Sequence, residues 1–411
     1  MNGSGGFFGQ PVIQPGRCPA ENDSRRSSSS DMNDSPEPAM NTRREFLKKS
    51  SLLALAPTVP GFLCRTARAA DASHDDRVLV VVQMSGGNDG INTVVPFADE
   101  GYAKHRDKLR IKEDRLLKLD KHIGLHPSMR AAADMIEDGR LAIVQGVGYP
   151  NPNRSHDVSM ATWQSARTDR EEHDSYGWLG RALDESAPAG APASLLAGDD
   201  QTPLALRGRE CISSSLHSLD ELLAVQSLSV PTTALNSPDD SLSDFVQRQT
   251  VAAFSTADQL RELARRQDNR VSYPATRLAG RLKLIAQLIK TGLGTRVYYA
   301  IQPGYDTHSG QQQSHFRLLR ELSGALKAFH DDLAMSQLDE RVITMCFSEF
   351  GRRVGENASA GTDHGTAGPV LVAGQPVRSG LHGETPDLLD LADGDLRYTV
   401  DFRRVYAAML G

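Results

Sequence analysis

The sequence predicts an α/β domain whose mostly parallel sheet is sandwiched by helices, and three observations carry this expectation. Five short runs, at 78–84, 141–147, 296–301, 341–347 and 370–373, are nearly continuous in apolar and β-branched residues. Strands buried on both faces read this way, whereas half-exposed antiparallel strands alternate apolar with polar. Helical stretches are predicted among them, at 128–138, 246–266, 275–291 and 315–333. In the last of these Leu318, Leu319, Leu322, Leu326, Phe329 and Leu333 recur near helical spacing, the mark of a stripe that faces a core.

Ahead of the first strand the chain changes character. Residues 1–39 are rich in Ser, Pro, Gly and Asn, include Ser27-Ser28-Ser29-Ser30 and lack hydrophobic periodicity, which predicts a disordered extension. Residues 40–69 read as a cleavable twin-arginine signal. Thr42-Arg43-Arg44-Glu45-Phe46-Leu47-Lys48 leads into the apolar Leu52-Leu53-Ala54-Leu55-Ala56 and 59–63, and the small-x-small triplet Ala67-Arg68-Ala69 follows. This predicts export of the folded chain by the twin-arginine translocase, to the periplasm or the cell exterior, with Met40 rather than Met1 as the expected natural start. Pro57, Pro60 and Gly61 interrupt the apolar stretch, which falls short of the ~20 residues of a membrane helix. No stable membrane span is therefore expected, and the bulky Leu63 before Cys64 argues against a lipid anchor. One domain is expected over 70–411, with a helical insertion at about 190–295, where strand signals fade and Ser, Pro and charged residues increase.

Nine Lys/Arg against six Asp/Glu precede Ala70, so the whole-chain net charge of −6 becomes −9 for the remainder. Such an acidic domain is a poor partner for nucleic acid, whose phosphates need clustered Lys/Arg. Of four cysteines only Cys211 and Cys346 follow the signal, too few for a disulfide framework, and Cys346 sits in an apolar run as a buried free thiol would.

Chemistry is concentrated beside the strands. After the first run comes Ser85-Gly86-Gly87-Asn88-Asp89-Gly90, and the second leads to Arg154-Ser155-His156. The third is followed by Pro303-Gly304-Tyr305-Asp306-Thr307-His308 and the fourth by Ser348-Glu349-Phe350-Gly351-Arg352-Arg353, while Gly361-Thr362-Asp363-His364-Gly365 precedes the fifth. Ligands of open α/β sheets bind outside the carboxyl ends of the strands, so these loops are expected to converge. Asp89, Asp306, His308, Asp363 and His364 form a mixed oxygen and nitrogen set suited to Zn²⁺, Mn²⁺ or a similar divalent ion. Singly, each has a plainer use as a turn former or in a surface hydrogen bond. Together, at strand ends, they point to a metal. Glu349 is a ligand, a carboxylate behind the ligands, or a salt-bridge partner of Arg352 or Arg353. Ser155 opens a helix, either as a simple N-cap or as a nucleophile at the positive end of the helix dipole. The absence of a Gly-x-Ser-x-Gly elbow disfavours an α/β-hydrolase triad, and Gly86-Gly87-Asn88-Asp89-Gly90 lacks the Gly-x-Gly-x-x-Gly spacing of a dinucleotide site.

The stretches SGGNDGINT (85–93), GYPNPNRSH (148–156), GWLGR (177–181), DTH (306–308), FSEFGRR (347–353) and GTDHGTA (361–367) together resemble the bacterial family called domain of unknown function 1501. That family is similar in turn to the alkaline phosphatase and sulfatase superfamily. The resemblance implies an alkaline-phosphatase-like fold and a metal-dependent hydrolase of a small phosphate or sulfate ester or carbohydrate. It implies Ser155 as nucleophile, with His156 beside it and Arg154 holding the non-reacting oxygens. Divalent ions (Zn, Mn or Mg) would sit on Asp89, Asp306, His308, Asp363 and His364, with His382, which has a plainer reading as a turn residue, ranked last. Two features depart from the superfamily. The Asp-x-His spacing is short, which leaves the ligand open between His308 and His315, and the sulfatase Cys-x-Pro-x-Arg motif is absent, which argues against a formylglycine nucleophile. The rival expectations are a non-catalytic exported protein that binds carbohydrate or a surface protein, and a structural metal protein without turnover.

Overall fold

At the centre of the sheet, β1 (Val78–Ser85) divides its side chains between two cores. Val78, Val80, Val82 and Met84 join one cluster and Leu79 and Val81 the other, which is why its sequence shows no amphipathic alternation. The computed structural model describes residues 77–169, 175–186, 194–199, 201–211, 213–218, 271–292 and 294–410. The extension, the signal and the helix expected at 246–266 lie outside them.

Eight further strands complete the sheet: β2 (Leu141–Gly148), β3 (Ser194–Ala197), β4 (Ser213–Leu216), β5 (Val297–Pro303), β6 (Val342–Phe347), β7 (Gly368–Ala373), β8 (Gly380–His382) and β9 (Val400–Asp401). Their order is β8-β2-β7-β6-β1-β5-β3-β4, and β9 also pairs with β2. All pairings are parallel except those of β7, which runs against both β2 and β6. The reversal matters for the site. In a wholly parallel sheet a loop that precedes a strand would lie at the amino edge. Because β7 is reversed, 348–367 spans from the carboxyl end of β6 to the start of β7 without leaving the carboxyl edge.

The helices are α1 (Gly90–Thr93), α2 (Glu100–His105), α3 (Arg130–Glu137), α4 (His156–Ser165), α5 (Trp178–Ser186), α6 (Arg277–Lys290), α7 (Gln311–Ala334) and α8 (Phe402–Leu410). α3, α6 and α7 bury their apolar sides on one face of the sheet, and α4, α5 and α8 on the other. Every member of the predicted Leu318-to-Leu333 stripe of α7 is buried. On the opposite face Trp178 stacks on Tyr406, with ring centroids 3.9 Å apart. Cys346 is buried and free.

Much of the stretch expected as a helical insertion, 219–270 included, lies outside the described residues. β3 and β4 lie within it and extend the main sheet at its edge, and α6 belongs to the principal core. Ser213-Ser214-Ser215 are half-buried or exposed on the edge strand, so they carry no apolar signal that a sequence reading could detect. Among the described residues no helix is long and apolar enough to cross a membrane.

Candidate metal centre

The level ends of β1, β5 and β6 set three of the polar loops side by side. Ser85 pairs with Pro303, and Gln83 pairs with Phe347. Beyond the strands, bridges from Asn88 to Gly351 and from Arg352 to His364 continue the pairing into the loops. Gly86 makes the approach possible: its φ is +121°, and a Cβ there would lie 2.3 Å from the Asp306 backbone nitrogen. At Gly361 a Cβ would come within 2.2 Å of the His308 carbonyl carbon.

The fully buried Arg352 ties these loops together. Its guanidinium donates to the carbonyls of Gly86 and Gly87, to Thr362 O at 2.8 Å and Tyr305 O at 3.0 Å, and to Asp306 Oδ1 at 2.6 Å. Asp306 is thereby fixed at the edge of the sheet. Burial raises its pKa, but the Arg352 bond, aided by His364 and His308, outweighs that and brings it to about 2. It is a carboxylate at any physiological pH.

Three imidazoles converge on that carboxylate. The Nε2 atoms of His308, His364 and His156 lie 3.0, 3.2 and 3.5 Å from Asp306 Oδ1. Each ring is held from behind. His364 Nδ1 is 2.7 Å from the Arg154 carbonyl, His308 Nδ1 is 3.1 Å from Asp363 Oδ1, and His156 Nδ1 is 2.9 Å from Glu349 Oε1. A carbonyl or carboxylate oxygen accepts, so each Nδ1 carries the ring proton and, in the neutral ring, each Nε2 presents a lone pair. The Glu349 bond and charge raise the pKa of His156 despite some desolvation. Glu349 is buried and also accepts from the Gly86 amide at 2.8 Å and the Ser348 hydroxyl at 3.0 Å.

This donor set fits a divalent cation. His308 Nε2 and His364 Nε2 lie 2.9 Å apart, so two lone pairs face each other unless a positive charge lies between them. His156, Asp306 and His364 meet the spacing of a metal-binding group, and His308 adds a fourth donor. Imidazole nitrogens favour Zn²⁺ over Mg²⁺.

The remaining expected residues are distributed less evenly. Asp363 orients His308 and accepts from Asn357 Nδ2 at 3.1 Å, so it stands behind the donors. Asp89 is not brought to the cluster. Buried at the start of α1, it is clasped by Arg106 at 2.6 and 3.0 Å and accepts from the Gln311 amide. His315, the alternative to His308, lies buried beside Asn88, 3.0 Å from its Oδ1. His382 ends edge strand β8 opposite Val144, in the middle of β2, and its Nε2 donates to the Arg378 carbonyl at 2.6 Å. Ser155 occupies the N-cap of α4, yet its hydroxyl makes no capping bond, and the Asn153 side chain accepts its amide at 2.7 Å instead. Arg154 does not present its guanidinium to the cluster, because the buried Asp395 takes it as counter-charge. Glu349 pairs with neither Arg352 nor Arg353.

Sequence reasoning missed Arg106 and the role of Arg352 as a tie between loops. No local pattern announces Arg106, the C-cap of α2, which meets Asp89 only through the fold. For Arg352, its place in the dense 347–353 stretch was the one available signal.

No curated protein sequence matches the chain. Among solved structures it is similar to the C-terminal periplasmic domain of EcEptC from Escherichia coli in complex with Zn, at 8% identity and TM-score 0.37, over 74% of each chain. A protein in the alkaline phosphatase superfamily from Vibrio parahaemolyticus matches at 11% identity and TM-score 0.34, covering 89% of this chain and 77% of that one. The alkaline phosphatase from the Antarctic bacterium TAB5 matches at 9% identity and TM-score 0.32, over 72% of this chain and 91% of that one. Likeness of this size leaves function to be read from the side chains. Residues 76–410 match the family described as "Protein of unknown function (DUF1501)", and the chain belongs to that family.

Proposed function

We propose that the protein is an exported, metal-dependent hydrolase of phosphate or sulfate esters. The observation that carries this reading is the convergence of three Nε2 atoms on Asp306, each ring fixed from behind by an acceptor. Bound there, Zn²⁺ or Mn²⁺ would draw charge from an ester oxygen and lower the pKa of a hydroxyl or water. Asp306, His156 and His364 would hold the ion, with His308 as the fourth donor. One ion per chain suffices, since the donors gather round a single carboxylate oxygen and Arg106 already neutralises Asp89. Ser155 supplies the attacking hydroxyl. It is released from capping and lies between the residue that fixes His364 and the donor His156. The roughly half-exposed Asp306 and His308 leave the site open to substrate.

The test is metal content of the purified domain together with hydrolysis of p-nitrophenyl phosphate and p-nitrophenyl sulfate. We expect one zinc or manganese per chain, and turnover lowered at least about 100-fold in His364→Ala and in Ser155→Ala. No bound metal, or full turnover in Ser155→Ala, defeats the enzyme reading. The second reading, metal binding without turnover, is favoured by the engagement of Arg154 with Asp395, which withholds the group expected to hold the substrate's oxygens. Stoichiometric metal with no hydrolysis of either ester selects it.

Export rests on the leader at 40–69, which a reporter fusion tests directly. With Arg43 and Arg44 both replaced by Lys, the reporter is expected to stay in the cytoplasm. Unchanged export of that variant excludes the twin-arginine route.

A further inference from the structure

A cavity of about 640 Å³ opens between the segment after α2 and the first turns of α7. Its rim carries Arg110, Lys112 and Arg115, all exposed and none in an ion pair among the described residues. Asp114 is the one acidic residue of the lining, so the rim has an excess of two positive charges. That is unusual on a chain of net charge −6.

The floor is polar and buried. His126 is 5% exposed, and its Nδ1 accepts from the Ser128 amide at 3.1 Å and contacts the Ser128 hydroxyl at 2.7 Å. An amide N–H can only donate, so the ring proton of His126 is on Nε2. That N–H has no partner among the described residues and belongs to a side chain lining the cavity. His315 is 2% exposed and donates through Nε2 to Asn88 Oδ1, so Nδ1 of the neutral ring carries a lone pair. Burial holds both rings neutral, with pKa values of about 3 for His126 and about 4 for His315. Phe316 also lines the cavity, packed edge-on against His126 at 5.6 Å yet 36% exposed. The His126 N–H, on a side chain otherwise withdrawn from solvent, can donate to a ligand oxygen that enters the cavity. The cationic rim calls for a negative charge, and the exposed aromatic offers an apolar face.

We infer that this cavity binds an anionic sugar: its carboxylate, phosphate or sulfate meets Arg110, Lys112 and Arg115, its hydroxyls meet His126 and His315, and its ring packs on Phe316. The site is separate from the metal centre and does not rest on the hydrolase reading. Gln311 lies between the two, with Oε1 accepting from Thr307 and Thr362 and Nε2 donating to Asp89.

Calorimetric titration of the full-length protein, in chelator so that the metal centre is silent, tests the inference with four probes: glucuronate, glucose 6-phosphate, glucose and inorganic phosphate. The two anionic sugars are expected to bind at least tenfold more tightly than either glucose or phosphate. Arg110→Ala with Arg115→Ala, both exposed and so compatible with folding, should weaken that binding at least tenfold without moving the thermal midpoint. Phe316→Ala should weaken the sugars more than phosphate. No binding of either anionic sugar, phosphate binding as tightly as glucose 6-phosphate, or binding unaffected by the double arginine variant would each overturn it.

Discussion

Two aspartates, Asp89 and Asp306, follow glycine turns at the carboxyl ends of the neighbouring strands β1 and β5, yet the fold assigns them opposite work. Asp89 is 1% exposed and meets a guanidinium of its own chain, so its charge is cancelled internally. Burial raises its pKa, but Arg106, His315 and Gln311 outweigh that and leave it lowered. Asp306 is held by Arg352 on one side and faces three imidazole nitrogens on the other, with 48% of its side chain open. The residue type and its place on the sheet are shared. Whether such a carboxylate braces the fold or offers itself to a ligand depends on whether an internal cation or a set of lone pairs occupies the space in front of it.

The largest expected effect comes from removing the internal cation. Arg106→Met strands a buried carboxylate and should cost about 3–5 kcal/mol, and adding Asp89→Asn should recover most of that. Denaturant unfolding of the two variants measures the difference. If Arg106→Met instead abolished metal binding while leaving stability intact, Asp89 would belong with Asp306 and the contrast would fail.

A smaller effect is expected behind the open site. Glu349→Gln keeps the size of the side chain but removes the charge that holds the His156 ring. Loss of such an outer partner lowers metal affinity roughly 10–100-fold. Competition with a chromophoric zinc chelator reads this directly, and an unchanged affinity would remove His156 from the donor set.

Acid should separate the two regions further. His126 and His315, on the Asp89 side, have pKa values depressed by burial to about 3 and about 4, against 6.5 for a free imidazole. Between those limits the unfolded chain binds more protons than the folded one. Their contribution is therefore complete above pH 6.5 and is lost as pH falls from there toward 4, by about 1 kcal/mol per histidine over the first unit. Thermal midpoints from pH 7 to 5, measured in chelator, should fall, and fall less in His126→Gln. A flat profile would place these rings in contact with water.

The smallest effect is expected at His382, whose ring is engaged by its own turn. His382→Ala should leave metal affinity unchanged and alter stability by less than about 0.5 kcal/mol. A tenfold loss of metal would restore it to the site.

The sequence determined what is local or periodic. Continuous apolar runs marked the central strands because both faces are buried, and the stripe from Leu318 to Leu333 marked the core side of α7. The motifs at 306–308 and 361–367 hold three of the four side chains that the fold brings together, and the fourth, His156, was expected beside Ser155. What only the tertiary structure decided were pairings across long separations: Arg106 with Asp89, Arg352 with Asp306, and Glu349 with His156, the last 193 residues apart. It also decided the direction of β7, which keeps His364 at the carboxyl edge. The physical reason is the same for all of them. Composition states which groups can carry charge or donate a lone pair, while burial and the nearest opposite charge decide which of them remain free to use it.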